Sequence, residues 1–286
     1  MPASAERRIG GATHVAGIIG WPVDHSVSPA IHNAAFVAAG LDWVYVPLPV
    51  PPPELAHALA GLRALGIDGA NVTMPHKTEA AELIDGLSED ARALGAVNTI
   101  SVRGEQIEGH NTDAPGFDRF LREDAGFDPA GRTALIYGSG GAGRACALAL
   151  ARAGISRLTV AARNEATTDG VRGIATNAGA PLDVIASKDA GGRRFDLVVN
   201  ATPVGRETEP EHLALPDLDR SVVVVDLLYD PPVTALQRRA EEAGAAAFGG
   251  LGLLLHQAAL SFELWTGIPA PLDVMSAAAL NALADR

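Results

Sequence analysis

Short apolar runs bounded by turn residues recur along the first hundred residues of the chain. They are VAGII at 15–19, WVYVPL at 43–48, GANV at 69–72 and VNTIS at 97–101. Between these runs the apolar positions follow a helical spacing, over about 29–39, 53–65, 76–85 and 88–94. Strands that alternate with helices are typical of βαβ units, so this part of the chain is predicted to form an α/β domain with a largely parallel sheet.

A second series of strands and helices begins near Thr133. Its apolar runs are TALIY at 133–137, RLTVAA at 157–162, FDLVVN at 195–200, VVVVD at 222–226 and AAAF at 245–248. A glycine-rich turn and an alanine-rich helix to about residue 153 follow the first run. This order predicts a doubly wound, Rossmann-type sheet.

The segment between the two series predicts a connection between domains. It contains APGFDRFLRED, which predicts a helix, and GFDPAGR, which predicts a loop, so we expect the boundary between residues 114 and 131. After Gly250 the pattern is wholly helical through LGLLLHQAALSFELW. It breaks at GIPAP and resumes as a final helix near 273–284.

Length and composition agree with this organisation and exclude several classes of protein. A chain of 286 residues, 48% apolar and 20% charged, is typical of a globular protein with two domains. Its net charge of −12 opposes a broad footprint on nucleic acid or on an anionic membrane. No apolar stretch reaches the roughly 20 residues of a membrane span. From the negative charge and the absence of such a stretch together, we expect neither a nucleic-acid nor a membrane partner.

The cysteine and histidine content bears on the cellular location of the protein and on metal binding. A single cysteine, Cys146, allows no internal disulfide, and the opening string MPASAERRIG has no apolar signal core. These features predict a reducing, cytoplasmic location. The eight histidines and one cysteine show no zinc-ligand spacing, so no metal site is expected.

The glycine-rich turn predicts a dinucleotide site. Gly138, Gly140 and Gly143 fit G-x-G-x-x-G between a predicted strand and a predicted helix. The first glycine permits the tight turn, the second lets the backbone approach a pyrophosphate, and the third lets helix and strand pack closely. The N-terminus of the helix adds free N–H groups and a positive dipole end for the phosphates.

The end of the next strand distinguishes between the two nicotinamide dinucleotides. An acidic residue there would bind the ribose of NAD, but this strand ends in Ala161 and Ala162, and Arg163 follows. Because an arginine at this place can bind a 2′-phosphate, the sequence favours NADP. The alternative is that Arg163 is a solvated surface residue.

Polar residues follow the predicted strand at 69–72 in the string NVTMPHK. Asn71, Thr73 and Lys77 are expected to face the crevice at the carboxyl ends of the strands, where ligands bind in α/β sheets. Lys77 is one of two lysines among 22 basic residues, and a cation in the first turn of a helix opposes the helix dipole. Both points favour a function, although turn formation and a surface lysine explain the same residues.

Two further strings place polar groups just before helices. GHNTDAPGF puts Asp113 ahead of a helix that begins with proline, and HSVSP puts Ser26 and Ser28 in the same arrangement. Asn111, Thr112 or Asp113 could simply cap the first of these helices. Ser28 could cap the second, with Ser26 as a turn hydroxyl, and for Ser28 capping and ligand binding do not exclude each other.

Eight strings occur in a fixed order along the chain. They are HSVSPAIHNAAF, GANVTMPHK, GAVNT, GHNTDAPGF, YGSGGAGRA, NATPVG, DLLYDPP and GLGLLLHQA. Together they closely resemble shikimate dehydrogenases and their quinate-using relatives, from about Val15 to the end. The resemblance implies a substrate-binding domain of residues 1–114 and 252–286, an NADP-binding Rossmann domain of residues 115–251, and an active site in the cleft between them.

The resemblance also assigns roles to individual residues. Lys77 and Asp113 match the family's catalytic pair. The positions that match its substrate contacts are Ser26, Ser28, Asn71, Thr73, Asn98, Tyr229 and Gln257. The positions that match its nucleotide contacts are Gly138, Ser139, Gly140, Gly141, Ala142, Arg163, Thr202, Leu227 and Gly250, with Glu89 at the periphery.

Two departures from the family pattern stand near the nucleotide positions. The family often has Asn-Arg-Thr after the second strand and another basic residue soon after, whereas this chain has Ala162, Arg163, Asn164 and Glu165. A second clamp on the 2′-phosphate is therefore missing, which leaves use of NAD possible. Leu253 replaces a methionine common in the family, a change expected to alter packing more than chemistry.

The residues suit hydride transfer to a ring ketone. This reaction needs an acid for the developing alkoxide and polar groups that recognise hydroxyls. Lys77 as ammonium can stabilise the alkoxide and deliver the proton, while Asp113 can orient the lysine and bind a substrate hydroxyl. A nearby aspartate favours the charged lysine, so the lysine pKa need not be strongly lowered.

The predicted function is reversible NADPH-dependent reduction of 3-dehydroshikimate to shikimate, a step that the resemblance places in the synthesis of chorismate and aromatic amino acids. A quinate/shikimate or aminoshikimate dehydrogenase with relaxed cofactor use is one alternative. A nonenzymatic nucleotide-dependent regulator on the same fold is another, against which the presence of both Lys77 and Asp113 argues. A monomer and a homodimer remain equally open.

Overall fold

The computed structural model describes residues 9–205 and 213–285. The chain divides into two compact units, one formed by Met1–Thr112 with Ala258–Arg286 and the other by Asp113–Gln257. We call them unit 1 and unit 2. The sequence analysis placed the two boundaries after residues 114 and 251, whereas the contacts in the structure place them after Thr112 and Gln257.

The described residues form an alternating series of strands and helices, numbered here in chain order. The strands are β1 His14–Gly20, β2 Trp43–Pro49, β3 Gly69–Val72, β4 Gly86–Leu87, β5 Thr99–Arg103, β6 Gln106–His110, β7 Thr133–Tyr137, β8 Arg157–Ala162, β9 Leu182–Ala186, β10 Leu197–Asn200, β11 Val223–Asp226 and β12 Ala246–Gly249. The α-helices are α1 Ser28–Ala38, α2 Leu55–Ala64, α3 Lys77–Leu83, α4 Glu89–Leu94, α5 Asp113–Glu123, α6 Gly141–Arg152, α7 Asp169–Asn177, α8 Ala235–Glu242, α9 Leu251–Thr266 and α10 Leu272–Ala284.

Unit 1 contains a mixed sheet in the order β2-β1-β3-β5-β6-β4. The prediction of a largely parallel sheet holds for β1 with β2, β1 with β3 and β4 with β6. It does not hold for β5, which runs antiparallel to both β3 and β6. Its pairing with β6 is a hairpin that the sequence analysis missed, in which Gly104 takes a φ of 60° and so allows a two-residue turn between Arg103 and Gln106.

Helix α2 and the sheet of unit 1 share an apolar core. Leu55, Leu59 and Leu62 are spaced to lie on one face of α2, and all three are buried. They belong to the same cluster as Val72 of β3 and Ile100 of β5. This packing holds the strands whose ends carry the polar loops described below.

Unit 2 contains a sheet in the order β12-β11-β10-β7-β8-β9, in which the described strands are parallel to their neighbours. The strand order reverses between β7 and β10, which is the arrangement of a doubly wound dinucleotide-binding sheet and confirms the predicted fold. Strands β10 and β7 are buried along nearly their whole length. This burial explains why they are visible in the sequence as continuous apolar runs.

Three elements of unit 2 were missed in the sequence. Helix α7 contains Gly170 and Gly173, which weaken its helical signal, although Val171 and Ile174 bury one face of it. Strand β9 lies at the edge of the sheet and is only half-buried, so its apolar pattern is weak. Helix α8 is short and mostly polar; it begins with a capping box in which Thr234 and Gln237 bond each other's backbone N–H groups, and it buries Leu236 and Ala240.

None of the described helices combines the length and apolar content needed to cross a bilayer. Within residues 9–205 and 213–285, no group of three or more His, Cys, Asp or Glu side chains is placed to hold a metal ion.

Candidate active site

The parallel register of unit 2 aligns the last residues of four strands in one row. Tyr137, Asn200, Asp226 and Gly249 pair with one another across β7, β10, β11 and β12. Within two residues after them come four predicted nucleotide contacts, namely Gly138, Thr202, Leu227 and Gly250. The sheet therefore brings together, at its carboxyl edge, residues that lie far apart in the chain.

The glycine turn has the geometry that each glycine predicts. Gly138 has a φ of 101°, and a Cβ there would lie 2.9 Å from the carbonyl oxygen of Ala201. A Cβ on Gly143 would lie 2.1 Å from the carbonyl oxygen of Gly138, so helix α6 could not pack against the turn with any side chain at this position. By contrast, a Cβ on Gly140 would meet no heavy atom of the described residues within 4 Å. The open space at Gly140 fits the pyrophosphate of a dinucleotide, with the exposed Gly141 and Ala142 starting α6 beside it.

Arg163 lies on the loop after β8, at the same edge. It follows β8, whose Ala161 pairs with Tyr137, and its side chain is exposed. The Thr167 hydroxyl of this loop donates to the Asn164 carbonyl at 2.7 Å and lies 2.9 Å from the Ser139 hydroxyl of the glycine turn. Thr167 thus ties the loop that follows Arg163 to the glycine turn, and the exposed Arg163 side chain is accessible to an anionic group.

A buried acid–amide pair supports the adjoining loops. Asn200 Nδ2 donates to the Asp226 carboxylate at 2.9 Å, and both residues are fully buried. Burial raises the pKa of Asp226 above its ordinary value, against smaller opposing contributions from hydrogen bonds donated by Thr234, Leu228 and Asn200. This pair was absent from the predicted site residues.

Close backbone contact explains why glycine occupies position 250. A Cβ on Gly250 would lie 2.0 Å from the carbonyl oxygen of Leu227. The Gly250 N–H also donates to the Leu228 carbonyl at 2.9 Å. Leu227 and Gly250, both predicted nucleotide contacts, are therefore in direct contact.

The remaining predicted residues of unit 2 lie on three elements. Asp113 is the first residue of α5 and is half-buried, and its charge adds to the effect of burial in raising the pKa of Cys146. Tyr229 is half-buried in the loop after β11. Gln257 lies on α9, where a Cβ on Gly116 of α5 would come within 2.9 Å of its backbone nitrogen. Gly116 therefore allows the close approach of α5 and α9 at Gln257.

Polar loops meet at one edge of the sheet in unit 1. The ladder between β1 and β3 continues beyond the strands, because Thr73 N donates to the Ile19 carbonyl at 2.9 Å. Val97 N donates to the Lys77 carbonyl at 2.8 Å, which ties the start of α3 to the segment that carries Asn98. Lys77 and Thr73 are half-buried, whereas Asn98 is only 2% exposed. The peripheral Glu89 is exposed at the start of α4.

The serine pair adopts a local turn. The Ser28 N–H donates to the Ser26 hydroxyl at 3.2 Å. Ser28 is the first residue inside α1 and Val27 holds the N-cap position, so the capping interpretation of Ser28 is wrong. Ser28 is instead buried. Burial raises the pKa of Tyr45, against a smaller opposing contribution from Ser28.

Asn71 lies at the centre of a buried polar network. Its Oδ1 accepts from the Tyr45 hydroxyl at 2.7 Å, and its Nδ2 lies 3.1 Å from Thr99 Oγ1 and 3.0 Å from Ser261 Oγ. Asn98 extends the network, since its Oδ1 accepts from Thr112 N at 2.8 Å. The amide of Asn71 is thus occupied by protein groups that position the loops.

His32 lies beside this polar network as a neutral ring. It is fully buried and stacks on Tyr45 with ring centroids 4.5 Å apart. Burial lowers its pKa to about 3, against a smaller opposing contribution from Asn71. Neither ring nitrogen has a hydrogen-bond partner in good geometry among the described residues. The ring therefore serves as packing.

Comparison with known proteins finds two matching family models and relatives that cover most of the chain. The family described as shikimate dehydrogenase substrate binding domain matches residues 18–100, and the shikimate 5′-dehydrogenase C-terminal domain matches residues 250–280. A shikimate dehydrogenase (NADP(+)) of Geobacter metallireducens is 44% identical over 283 residues, which cover 96% of this chain and 99% of that protein. The chain belongs to the shikimate dehydrogenase family.

Solved structures of the family show the same fold. The shikimate 5-dehydrogenase of Thermus thermophilus in complex with NADP(H) and shikimate matches with a TM-score of 0.82 and 34% identity, covering 94% of this chain and 100% of that one. A quinate dehydrogenase of Corynebacterium glutamicum in complex with NAD matches with a TM-score of 0.84 and 31% identity, covering 94% and 99%.

The sequence analysis missed the buried polar residues that support the family's site positions. In unit 1 these are Tyr45, Thr99, Thr112 and Ser261, and in unit 2 they are Asn200, Asp226 and Thr234. Asn200 and Asp226 had a visible signal, because each is a polar residue that ends a continuous apolar strand. The unit 1 residues had none, since serine and threonine within an amphipathic pattern are ordinary.

Proposed function

We propose that this chain catalyses the reversible NADP(H)-dependent reduction of 3-dehydroshikimate to shikimate. The observation that carries the proposal is the set of polar loops at one sheet edge of unit 1, where Lys77 begins α3 and the serine turn precedes α1. These loops offer hydroxyl, amide and ammonium groups, which suit a ring carboxylate that bears several hydroxyls. Membership of the shikimate dehydrogenase family supports the same reaction.

Recognition of the substrate falls to short, well-supported side chains. Ser26 and Ser28 are held by their turn, and Asn98 is held through Thr112. Gly20 supports Thr73, because a Cβ on Gly20 would lie 2.4 Å from the Thr73 methyl group. Side chains fixed in this way lose little conformational entropy when a ligand binds.

Lys77 acts on the oxygen that changes charge. Its ammonium group donates a hydrogen bond to the carbonyl oxygen, stabilises the alkoxide that forms, and transfers a proton to it to complete the alcohol. In the reverse direction the amine accepts that proton. The carboxylate of Asp113 accepts a hydrogen bond from a ring hydroxyl. The dinucleotide, when bound, supplies the hydride.

The nucleotide is held by unit 2. The open turn at Gly140 and the N-terminus of α6 would hold the pyrophosphate, and Thr202, Leu227 and Gly250 would be further contacts of the dinucleotide. Arg163 binds the 2′-phosphate through charge-assisted hydrogen bonds, which gives NADP its advantage over NAD.

Because the chain has only one other lysine, Lys188, that residue provides a matched control for a test of Lys77. Lys77→Ala should lower turnover at least about 10²-fold, the low end of general acid–base contributions, while the protein stays folded. Lys188→Ala, at the other lysine of the chain, removes an exposed side chain and should leave turnover unchanged. Near-normal rates for folded Lys77→Ala would remove this residue from the reaction.

Initial rates with shikimate and quinate, each with NADP⁺ and NAD⁺, test the substrate. Quinate adds a tertiary hydroxyl beside its carboxylate, and an unpaired buried hydroxyl costs about 1–3 kcal/mol, or roughly 5- to 150-fold in kcat/KM. We therefore expect shikimate with NADP⁺ to be preferred. Equal kcat/KM values for the two acids would move the chain to the dual-substrate relatives, and NADPH binding without turnover would identify a regulator.

A further inference from the structure

The carboxyl ends of β10 and β11 hold a buried carboxylate for which the proposed reaction has no use. Asp226 is fully buried at the last residue of β11, directly beside Asn200 at the last residue of β10. Three donors reach its oxygens, namely Asn200 Nδ2 at 2.9 Å, Leu228 N at 3.2 Å and Thr234 Oγ1 at 2.7 Å. A buried charge is costly unless it is satisfied in this way, so its presence calls for a reason.

One oxygen of Asp226 is connected to the glycine turn through Asn200 and Thr202. Asn200 donates to it and also to the Val204 carbonyl at 3.0 Å, so its Oδ1 is left to accept. That Oδ1 accepts from Thr202 N at 3.1 Å and from the Thr202 hydroxyl at 2.7 Å. Thr202 in turn lies against the glycine turn, where a Cβ on Gly138 would lie 3.0 Å from its methyl group.

The same carboxylate also holds the loop after β11. Leu228 N and the Thr234 hydroxyl both donate to it, and Thr234 begins α8 through its capping box. Leu227 precedes Leu228 and contacts Gly250. Asp226 therefore joins two loops that carry Thr202 and Leu227.

Only a carboxylate suits these three donors. An ionised aspartate accepts at both oxygens and donates nothing, whereas an asparagine would turn its NH₂ group toward at least one of the existing donors. The exchange preserves shape and size but leaves a buried donor without an acceptor.

We propose that Asp226 is a positioning residue for the dinucleotide, which acts through Asn200 on Thr202 and through Leu228 on Leu227. The proposal rests on the proposed function only in that a dinucleotide binds to unit 2. Asp226 is fully buried, so we expect it to act only through these loops and not in the chemical step.

The test measures NADPH binding apart from turnover. Asp226→Asn should weaken NADPH binding, followed by titration of NADPH fluorescence, by about tenfold. At saturating cofactor, kcat should change less than about threefold. The matched control is Asp196→Asn, because Asp196 also accepts a backbone N–H and a hydroxyl, both from Thr133 and both at 2.8 Å, beside the amino end of β10.

Asp196→Asn should leave NADPH affinity unchanged, because both Thr133 donors reach the same oxygen, Oδ2, and the amide oxygen of asparagine can take its place. If Asp226→Asn and Asp196→Asn bind NADPH equally well at matched stability, Asp226 is only structural and the proposal fails. It fails as well if kcat falls while NADPH affinity is unchanged. A protein that binds NADPH but does not turn over shikimate would overturn the proposed function and leave this test intact.

Two further sets of variants keep the test open if Asp226→Asn does not fold. Thr234→Val removes, with little change of shape, the hydroxyl that donates to Asp226 and caps α8, and it should weaken NADPH binding. Thr234→Ser retains the hydroxyl and should bind NADPH like the wild type. Asn200→Ala should weaken NADPH binding as Asp226→Asn does. The double variant should bind NADPH about as weakly as whichever single variant binds it less tightly, because both substitutions act through Thr202. Fully additive losses would contradict this route.

Discussion

The buried ring of His32 makes the stability of unit 1 depend on pH. Its pKa is about 3 in the folded protein and 6.5 in the unfolded chain, because burial disfavours the charged ring. Below pH 6.5 the unfolded state therefore binds a proton that the folded state does not. The stability linked to this group is complete above pH 6.5 and is lost as the pH falls toward 3.

The expected loss follows from the pKa difference. One pKa unit corresponds to about 1.4 kcal/mol, so the full loss is about 5 kcal/mol at the acid end. Between pH 7.5 and pH 5 the free energy of unfolding should fall by about 2 kcal/mol on account of this group. His32→Leu removes the titrating ring and keeps the site apolar, so its unfolding free energy should lack this part of the slope.

Tryptophan fluorescence during urea unfolding is the appropriate assay. The three tryptophans, Trp21, Trp43 and Trp265, all belong to unit 1, and the Trp265 ring centroid lies 5.2 Å from that of His32. The quantity to compare is the difference between wild type and His32→Leu at each pH. Burial also lowers the pKa of His110, but that contribution is common to both proteins and cancels.

The difference curve decides the outcome. His57→Gln, at a ring whose side chain is 85% exposed, serves as the control and should keep the wild-type slope. Parallel curves for wild type and His32→Leu from pH 7.5 to pH 5 would refute the reasoning, since they would show that His32 binds its proton equally in both states.

Three further substitutions test other parts of the structure. Gly143→Ala places a Cβ 2.1 Å from the Gly138 carbonyl oxygen and should abolish NADPH binding in a fluorescence titration; normal affinity would contradict the observed packing. Arg163→Ala should raise the KM for NADP⁺ much more than the KM for NAD⁺, because only NADP⁺ presents the 2′-phosphate, and equal effects would remove that assignment. Ser261→Ala takes a hydroxyl from the buried network with Asn71 and Thr99 and should lower the free energy of unfolding, followed by tryptophan fluorescence, by about 1–3 kcal/mol, whereas an unchanged value would show that the network tolerates its loss.

The sequence alone predicted those parts of the structure that are determined by residues close together in the chain. The glycine turn is an example, because Gly138 takes a φ of 101° and a Cβ on Gly143 would lie 2.1 Å from the Gly138 carbonyl oxygen, only five residues back in the chain. The buried strands of unit 2 are another, since β7, β10 and β11 are covered on both faces and must be continuously apolar. These features predicted a doubly wound sheet and its dinucleotide turn, and the structure has both.

Tertiary structure decided whatever depends on pairing between distant segments. Asn71 and Ser261 are 190 positions apart and share a hydrogen bond, although neither residue type indicates a partner. The Asn200–Asp226 pair exists only because β10 and β11 lie side by side in register. The antiparallel direction of β5 likewise follows from its hairpin with β6, which the alternating pattern alone could not distinguish from a helical crossover. Polar networks of this kind leave little trace in sequence, because a hydrogen bond needs only a donor and an acceptor and many residue types supply either.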